Sequence, residues 1–325
     1  MQAAVRNGGA SKPHAVFLWS LATAFLTAGL IVFGAVVRVT DSGLGCGNEW
    51  PLCNGTIIPP LDNLTAWIEW LHRLFAVLIG LCGLMTLRVA WRAYRKQDTV
   101  ILNAVLVSAG LFLLQSALGA LVVVLDLPPT FVTLHLGTAM LLLGGLLMAA
   151  VMTRYRPRQR SRVSNTTTLI YANTFLSLVI ILTGALVRGS GATLACVEWP
   201  TCINGSVLPL EYGQLAVIHM IHRLAVAVMG LTLVLLTWQV WRTRDRLTFQ
   251  ISLAATVTYF AQAGVGAFYV LSVGAPFWGA AHVGMAAATW ALLVVLSAVE
   301  ALNTGQIQLN TSETWNPQSE ALPQS

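Results

Sequence analysis

Long apolar runs alternate with short polar loops along the whole chain. Eight runs reach the length of about 20 residues that an α-helix needs to cross a bilayer. They fall at roughly 16–37, 67–90, 100–124, 131–153, 168–187, 215–240, 249–272 and 277–299. The pattern predicts an all-α membrane protein with eight transmembrane helices. Composition agrees: hydrophobic residues are 56% and charged residues 9% of 325, which no soluble domain of this size shows. Arg6 and Lys12 precede the first run, as in a secretory signal. The end of that run recurs at the fifth, so it is read as helix 1 of a repeat and not as a cleaved leader. The stretch from about 301 is rich in Gln, Ser, Thr and Asn and reads as a disordered tail.

The charges set an orientation. Arg88, Arg92, Arg95 and Lys96 fill the second loop, Arg154, Arg156, Arg158, Arg160 and Arg162 the fourth, and Arg242, Arg244 and Arg246 the sixth. The alternate loops carry Asp41, Glu49, Asp62, Asp126, Glu198 and Glu211. Because basic loops stay inside, both termini are expected in the cytoplasm of a cell-membrane protein. The net charge of +6 is then a topology signal. Spread over three loops, it makes no patch for nucleic acid.

The second half repeats the first. Gly34-Ala35-Val36-Val37-Arg38 returns as Gly184-Ala185-Leu186-Val187-Arg188. Glu49-Trp50-Pro51-Leu52-Cys53 returns as Glu198-Trp199-Pro200-Thr201-Cys202, and His72-Arg73-Leu74 as His222-Arg223-Leu224. Gln115, Gly119 and His135 match Gln262, Gly266 and His282. Two four-helix units are therefore expected, about 1–160 and 161–325. Four helices return the chain to its starting side. The units should be tandem parallel bundles related by a pseudo-two-fold axis along the membrane normal.

Ionisable groups inside membrane helices need a reason. His72 and His135 are expected at the same depth, roughly 6–8 Å below the outer boundary at 1.5 Å per residue. His222 and His282 repeat that placement. One isolated histidine reads most simply as a hydrogen bond to a neighbouring helix. Two matched pairs at equal depth point to metal or heme, with an imidazole on each side of an iron. Zinc wants about four close ligands, and each unit offers two histidines and no intramembrane cysteine cluster. Cys82 stands alone and reads as a small core residue.

Arg38 and Arg188 end helices 1 and 5 on the outer side, and Arg73 and Arg223 follow two of the histidines. They suit the two carboxylates of heme; snorkelling to the interface is the plainer reading. Glu69 shares a helix face with His72. The matching position before His222 is His219. A carboxyl group beside only one of two matched sites suits proton transfer there, against an interfacial carboxylate near water. His219 reads either as a third imidazole near the second site or as a surface residue.

Cys46 and Cys53 lie in one outer loop, Cys196 and Cys202 in its repeat, where disulfides persist. Two disulfides are expected, Cys46–Cys53 and Cys196–Cys202. They read as staples over each site or, more sharply, as redox-active pairs. Asn54-Gly55-Thr56 and Asn204-Gly205-Ser206 match a glycosylation sequon, but repetition within a tight turn favours a structural role.

From Gly34 to Gly55, through Glu69-Trp70-Leu71-His72-Arg73 and His135, and again at Arg188, Cys196, Cys202, His222 and His282, the chain resembles the heme A synthase family. The likeness covers about 15–300 and fits the subgroup with cysteine pairs in both loops. It implies oxidation of a methyl group of heme O to the formyl group of heme A, for terminal oxidases. It further implies heme O as substrate between His72 and His135, with Glu69 as catalytic acid/base, and a heme b between His222 and His282. A heme O synthase (a farnesyltransferase) and an electron acceptor are implied partners; the oligomeric state is left open. Iron ligated on both faces cannot bind oxygen, so either one histidine leaves or the iron works by electron transfer. Two other functions compete. A di-heme b-type cytochrome drawing electrons from quinol would have no use for Glu69. A transporter would call for helices broken at mid-depth.

Overall fold

A computed structural model describes residues 11–96, 99–157 and 160–309. Arg6, Arg158 and the residues from 310 on lie outside the described residues. The helices are α1 (Ser11–Val39), α2 (Leu64–Tyr94), α3 (Thr99–Val124), α4 (Pro129–Arg154), α5 (Asn165–Gly189), α6 (Gln214–Thr243), α7 (Arg246–Leu271) and α8 (Pro276–Asn303). All eight are long and apolar enough to cross a membrane, and no strand is present among the described residues. Each runs a few residues past its apolar stretch, because local chemistry and not hydropathy sets its ends. Asn63 caps α2 by accepting from the Ala66 amide, and Asp245 caps α7 by accepting from Thr248. Pro129 and Pro276 open α4 and α8, where the missing amide hydrogen would be unpaired anyway. Every one of the eight helices is continuous, so the broken helix of a transporter is not seen among the described residues.

Within the first unit α1 packs on α2, α2 on α3, α3 on α4 and α4 on α1; α5 to α8 repeat the ring. The units meet through α1 on α8, α4 on α5 and α4 on α8. Exchanging the units turns the α1–α8 contact into the α5–α4 contact, as a two-fold axis along parallel bundles requires. Met140, Leu143, Ile181, Ala287 and Trp290 form the buried seam between them. Trp290 Nε1 donates to the Met140 carbonyl at 2.7 Å. Apolar lipid gives helices little hydrophobic reason to associate, so packing and interhelical hydrogen bonds hold them together. Such bonds link Thr23 to Thr86 (α1–α2), Thr232 to Asn173 (α6–α5) and Thr174 to Ser297 (α5–α8).

One expectation changes. α8 extends to Asn303, and Ile307 and Leu309 pack on the cluster around Leu102 and Leu302. Ser161 donates to the Asn303 carbonyl, and Tyr171 hydroxyl to Gln306. The polar composition after 301 concealed two apolar anchors and the cluster on neighbouring helices that receives them. Nearby, Glu300 is fully buried and paired with Arg244 and with Thr167, which stitches α8, α5 and the α6–α7 turn together.

Candidate functional site

His72 stands eight residues past Leu64 at the start of α2, and His222 eight past Gln214 in α6. His135 and His282 each stand six residues past the prolines that open α4 and α8. Equal registers give equal depths, below the end of the bundle that carries the cysteine loops. One large, mostly apolar cavity of about 1630 Å³ runs through both units and is lined by all four histidines. His72 lies within electrostatic reach of His135, and His222 of His282. The expected pairing is thus the spatial one.

Each imidazole leans on a glycine of the preceding helix. A Cβ on Gly34 would stand 3.1 Å from His72 Cε1, and one on Gly119 would stand 3.0 Å from His135 Cε1. The same carbon on Gly184 would be 3.1 Å from His222 Cε1, and on Gly266 2.8 Å from His282 Cε1. Four helix pairs therefore use one device: a bare backbone lets the Cε1 edge of the ring approach the neighbouring helix. The repeated glycines were visible in the sequence, but their role needs the fold. Among the described residues no three His, Cys, Asp or Glu side chains converge as an isolated metal ion would need. Imidazole pairs within reach of each other in an apolar cavity instead fit a porphyrin, which brings the remaining four ligands to its own iron.

The hydrogen bonds behind the rings differ between units. Thr183 Oγ1 donates its one hydrogen to the Ile180 carbonyl at 2.9 Å. It lies 3.0 Å from His222 Nδ1 and so accepts from it. His282 Nδ1 donates to the Gln262 carbonyl at 3.0 Å. Both rings then carry their proton on Nδ1 and keep the Nε2 lone pair for a metal. In the first unit His72 Nδ1 is buried with no partner, and Phe33 tilts against the ring at 6.1 Å between centroids. The Gln115 carbonyl lies toward His135 without closing the Nδ1 bond. The Gln115 side-chain amide sits 3.2 Å from His135 Nε2.

Glu69 is almost fully buried, on the wall of the cavity. Its Oε2 accepts from the Cys46 amide at 2.9 Å, and its Oε1 pairs with Arg73. His219 is also buried and lines the cavity, so the surface reading of it does not hold. The structure closes both disulfides, Cys46–Cys53 and Cys196–Cys202, with S–S distances of 2.06 and 2.01 Å. Glu49 and Glu198 accept from the amides of Gly55 and Gly205 and close the turn in each loop. There Asn54, Gly55, Asn204 and Gly205 all have positive φ, which explains the repeated Asn-Gly without glycosylation.

The four arginines divide into two kinds. Arg73 donates to the carbonyls of Glu49, Pro51 and Leu52, and Arg223 to those of Cys196, Glu198 and Thr201. These two hold the cysteine loops down. Arg188 donates to the Arg38 carbonyl at 2.9 Å and to Asp41 at 3.2 Å, across the seam between units. Arg38 Nε, Arg73 Nε and Arg188 Nε are all buried without partners, and all four arginines line the cavity.

A family model described as cytochrome oxidase assembly protein, COX15-CtaA, matches residues 17–294. A heme A synthase from Exiguobacterium sibiricum is 31% identical over 260 residues, 78% of this chain and 85% of that protein. One from Symbiobacterium thermophilum is 31% identical over 292 residues, 85% and 92% of the two chains. Another, from an Exiguobacterium strain, is 29% identical over 279 residues, 84% and 90% of the two chains.

Proposed function

The chain belongs to the COX15-CtaA family of cytochrome oxidase assembly proteins, and from that membership we propose that it acts as a heme A synthase, oxidising a ring methyl of heme O to formyl. The observation that carries this is the cavity flanked by two histidine pairs, each ring seated on a glycine. His72 and His135 take the substrate heme O in the first unit, residues 1–160. His222 and His282 hold a heme b in the second, residues 161–325. A heme b bound there supplies a one-electron redox centre.

The rest is the work of side chains. Stepwise oxidation of a methyl group releases protons, and Glu69 is the carboxylate on the first unit's part of the cavity wall able to take them. The Cys46 amide and Arg73 fix its orientation. His219 at the matching position agrees with chemistry in the first unit only. Arg38 and Arg188, with unpartnered Nε groups on the cavity wall, receive propionates. Arg73 and Arg223 act through the loops that roof each site. Placing the disulfide loops outside and the arginine-rich loops in the cytoplasm satisfies both redox compartment and charge bias. Heme O arrives from a farnesyltransferase, and the electrons leave to an acceptor on a partner. The unlike surroundings of the two histidine pairs disfavour a carrier with two equal hemes b.

The test is expression of the full chain in a host that supplies heme O, followed by chromatography of the extracted porphyrins. Heme A should appear, together with one firmly held heme b per chain. Two equal hemes b and no heme A would support the electron carrier instead.

A further inference from the structure

We propose that position 183, threonine where the first unit has Phe33, is what makes the second unit keep its heme while the first unit exchanges its own. The inference rests on the functional reading above and adds to it a positioning residue for the resident cofactor.

The two units share their ligands and their glycines, so neither can make one site permanent and the other transient. The difference lies one layer behind. His222 is locked by Thr183, whose single hydroxyl hydrogen is committed to Ile180. The ring cannot rotate without breaking its Nδ1 bond, and its Nε2 lone pair is held ready for iron. An imidazole whose Nδ1 donates to an oxygen is also a stronger electron donor through Nε2. His72, with the same helix and the same glycine contact, meets the Phe33 ring, which offers no lone pair. Its Nδ1 is unpaired and buried, so the ring gains nothing by keeping one orientation.

A second pair of positions acts in the same direction. In the second unit Thr289 Oγ1 donates to the Met285 carbonyl at 3.0 Å and lies 3.4 Å from the Gln262 side chain, while the backbone carbonyl of Gln262 accepts from His282. The position matching Thr289 in the first unit is Leu142, which has no hydroxyl. There the Gln115 amide turns onto His135 Nε2. His135 must part from Gln115 before that nitrogen can take a metal, whichever way the amide is oriented. The first site therefore begins with one ligand unanchored at Nδ1 and one ligand covered at Nε2.

The test is heme transfer from the full-length protein in detergent to excess apomyoglobin, followed by absorbance. Wild type should lose heme O quickly and heme b slowly. Thr183→Val keeps the shape and removes the hydroxyl; it should lose heme b at least about tenfold faster, the scale of a lost outer partner. Its heme b signal in electron paramagnetic resonance should also change. Thr183→Ser should restore both. Phe33→Thr, read independently in the other unit, should slow heme O loss. Heme b loss at the wild-type rate from Thr183→Val, or unchanged heme O loss from Phe33→Thr, overturns the proposal. His222→Ala serves as the control: if that variant keeps its heme b, the assignment of the second site fails. If it loses heme b while Thr183→Val does not, only the role of Thr183 fails.

Discussion

The two halves of the cavity have the same two ligand positions, the same glycine seats and the same stapled roofs, and yet they are not the same site. Glu69 stands on the wall of the first half and His219 on the wall of the second. Behind His72 stands Phe33, behind His222 the hydroxyl of Thr183. A duplicated bundle keeps what is needed to seat a porphyrin and diverges in what surrounds the ligands. Binding geometry sits in the repeated residues and chemistry in the unrepeated ones.

The comparison breaks most completely at the ligands. His222→Ala or His282→Ala should yield a protein without resident heme b, as measured by pyridine hemochrome content. Full heme b in both variants would remove the second unit from its role. Next in size is Glu69→Gln, which keeps an acceptor for the Cys46 amide but loses the charge. Heme A formation should fall by about 100-fold, the typical worth of a positioned acid or base, with heme b still bound. Normal heme A output would confine Glu69 to holding the loop.

The glycine seats sharpen the comparison at smaller cost. In Gly266→Ala the new methyl would press on His282 from 2.8 Å. Overpacking of about 1–3 kcal/mol corresponds to heme b retention weaker by about 5- to 150-fold. Gly34→Ala should leave heme b in place and impair only heme O binding, as read by titration with heme O. If either substitution acted on both hemes alike, the units would not be separate sites. Smallest is the pair Cys46→Ser with Cys53→Ser. Loss of a staple over so short a loop should cost about 2 kcal/mol of stability, seen as a lower melting temperature in detergent. Intact activity in that variant would eliminate a redox role for the thiols.

Much of this was legible in the linear sequence. Hydropathy runs of membrane length had no other way to satisfy their backbone than as helices, so all eight elements were read to within a few residues. The repeat exposed His72, His135, His222 and His282, because a residue type this rare in lipid stands out when it recurs in register. Arg73 and Arg223 were harder. Position near a histidine suggested a carboxylate partner; the bonds of both arginines to the carbonyls of the cysteine loops, and of Arg73 to Glu69, appear only once the loops fold back. The end of α8 was misjudged for a related reason: Ile307 and Leu309 are too few to register as a pattern, and only their partners on other helices reveal them.

Sequence alone determined the number of helices, the duplication, the four imidazoles and the two disulfides, because each is a property of spacing along one chain. Only the tertiary structure decided that glycines on neighbouring helices seat the histidines, that Thr183 and not Phe33 locks a ring, and which arginines hold the cysteine loops. Those facts depend on which helix lies beside which, and a hydrogen bond or a contact with a missing Cβ has no trace in periodicity.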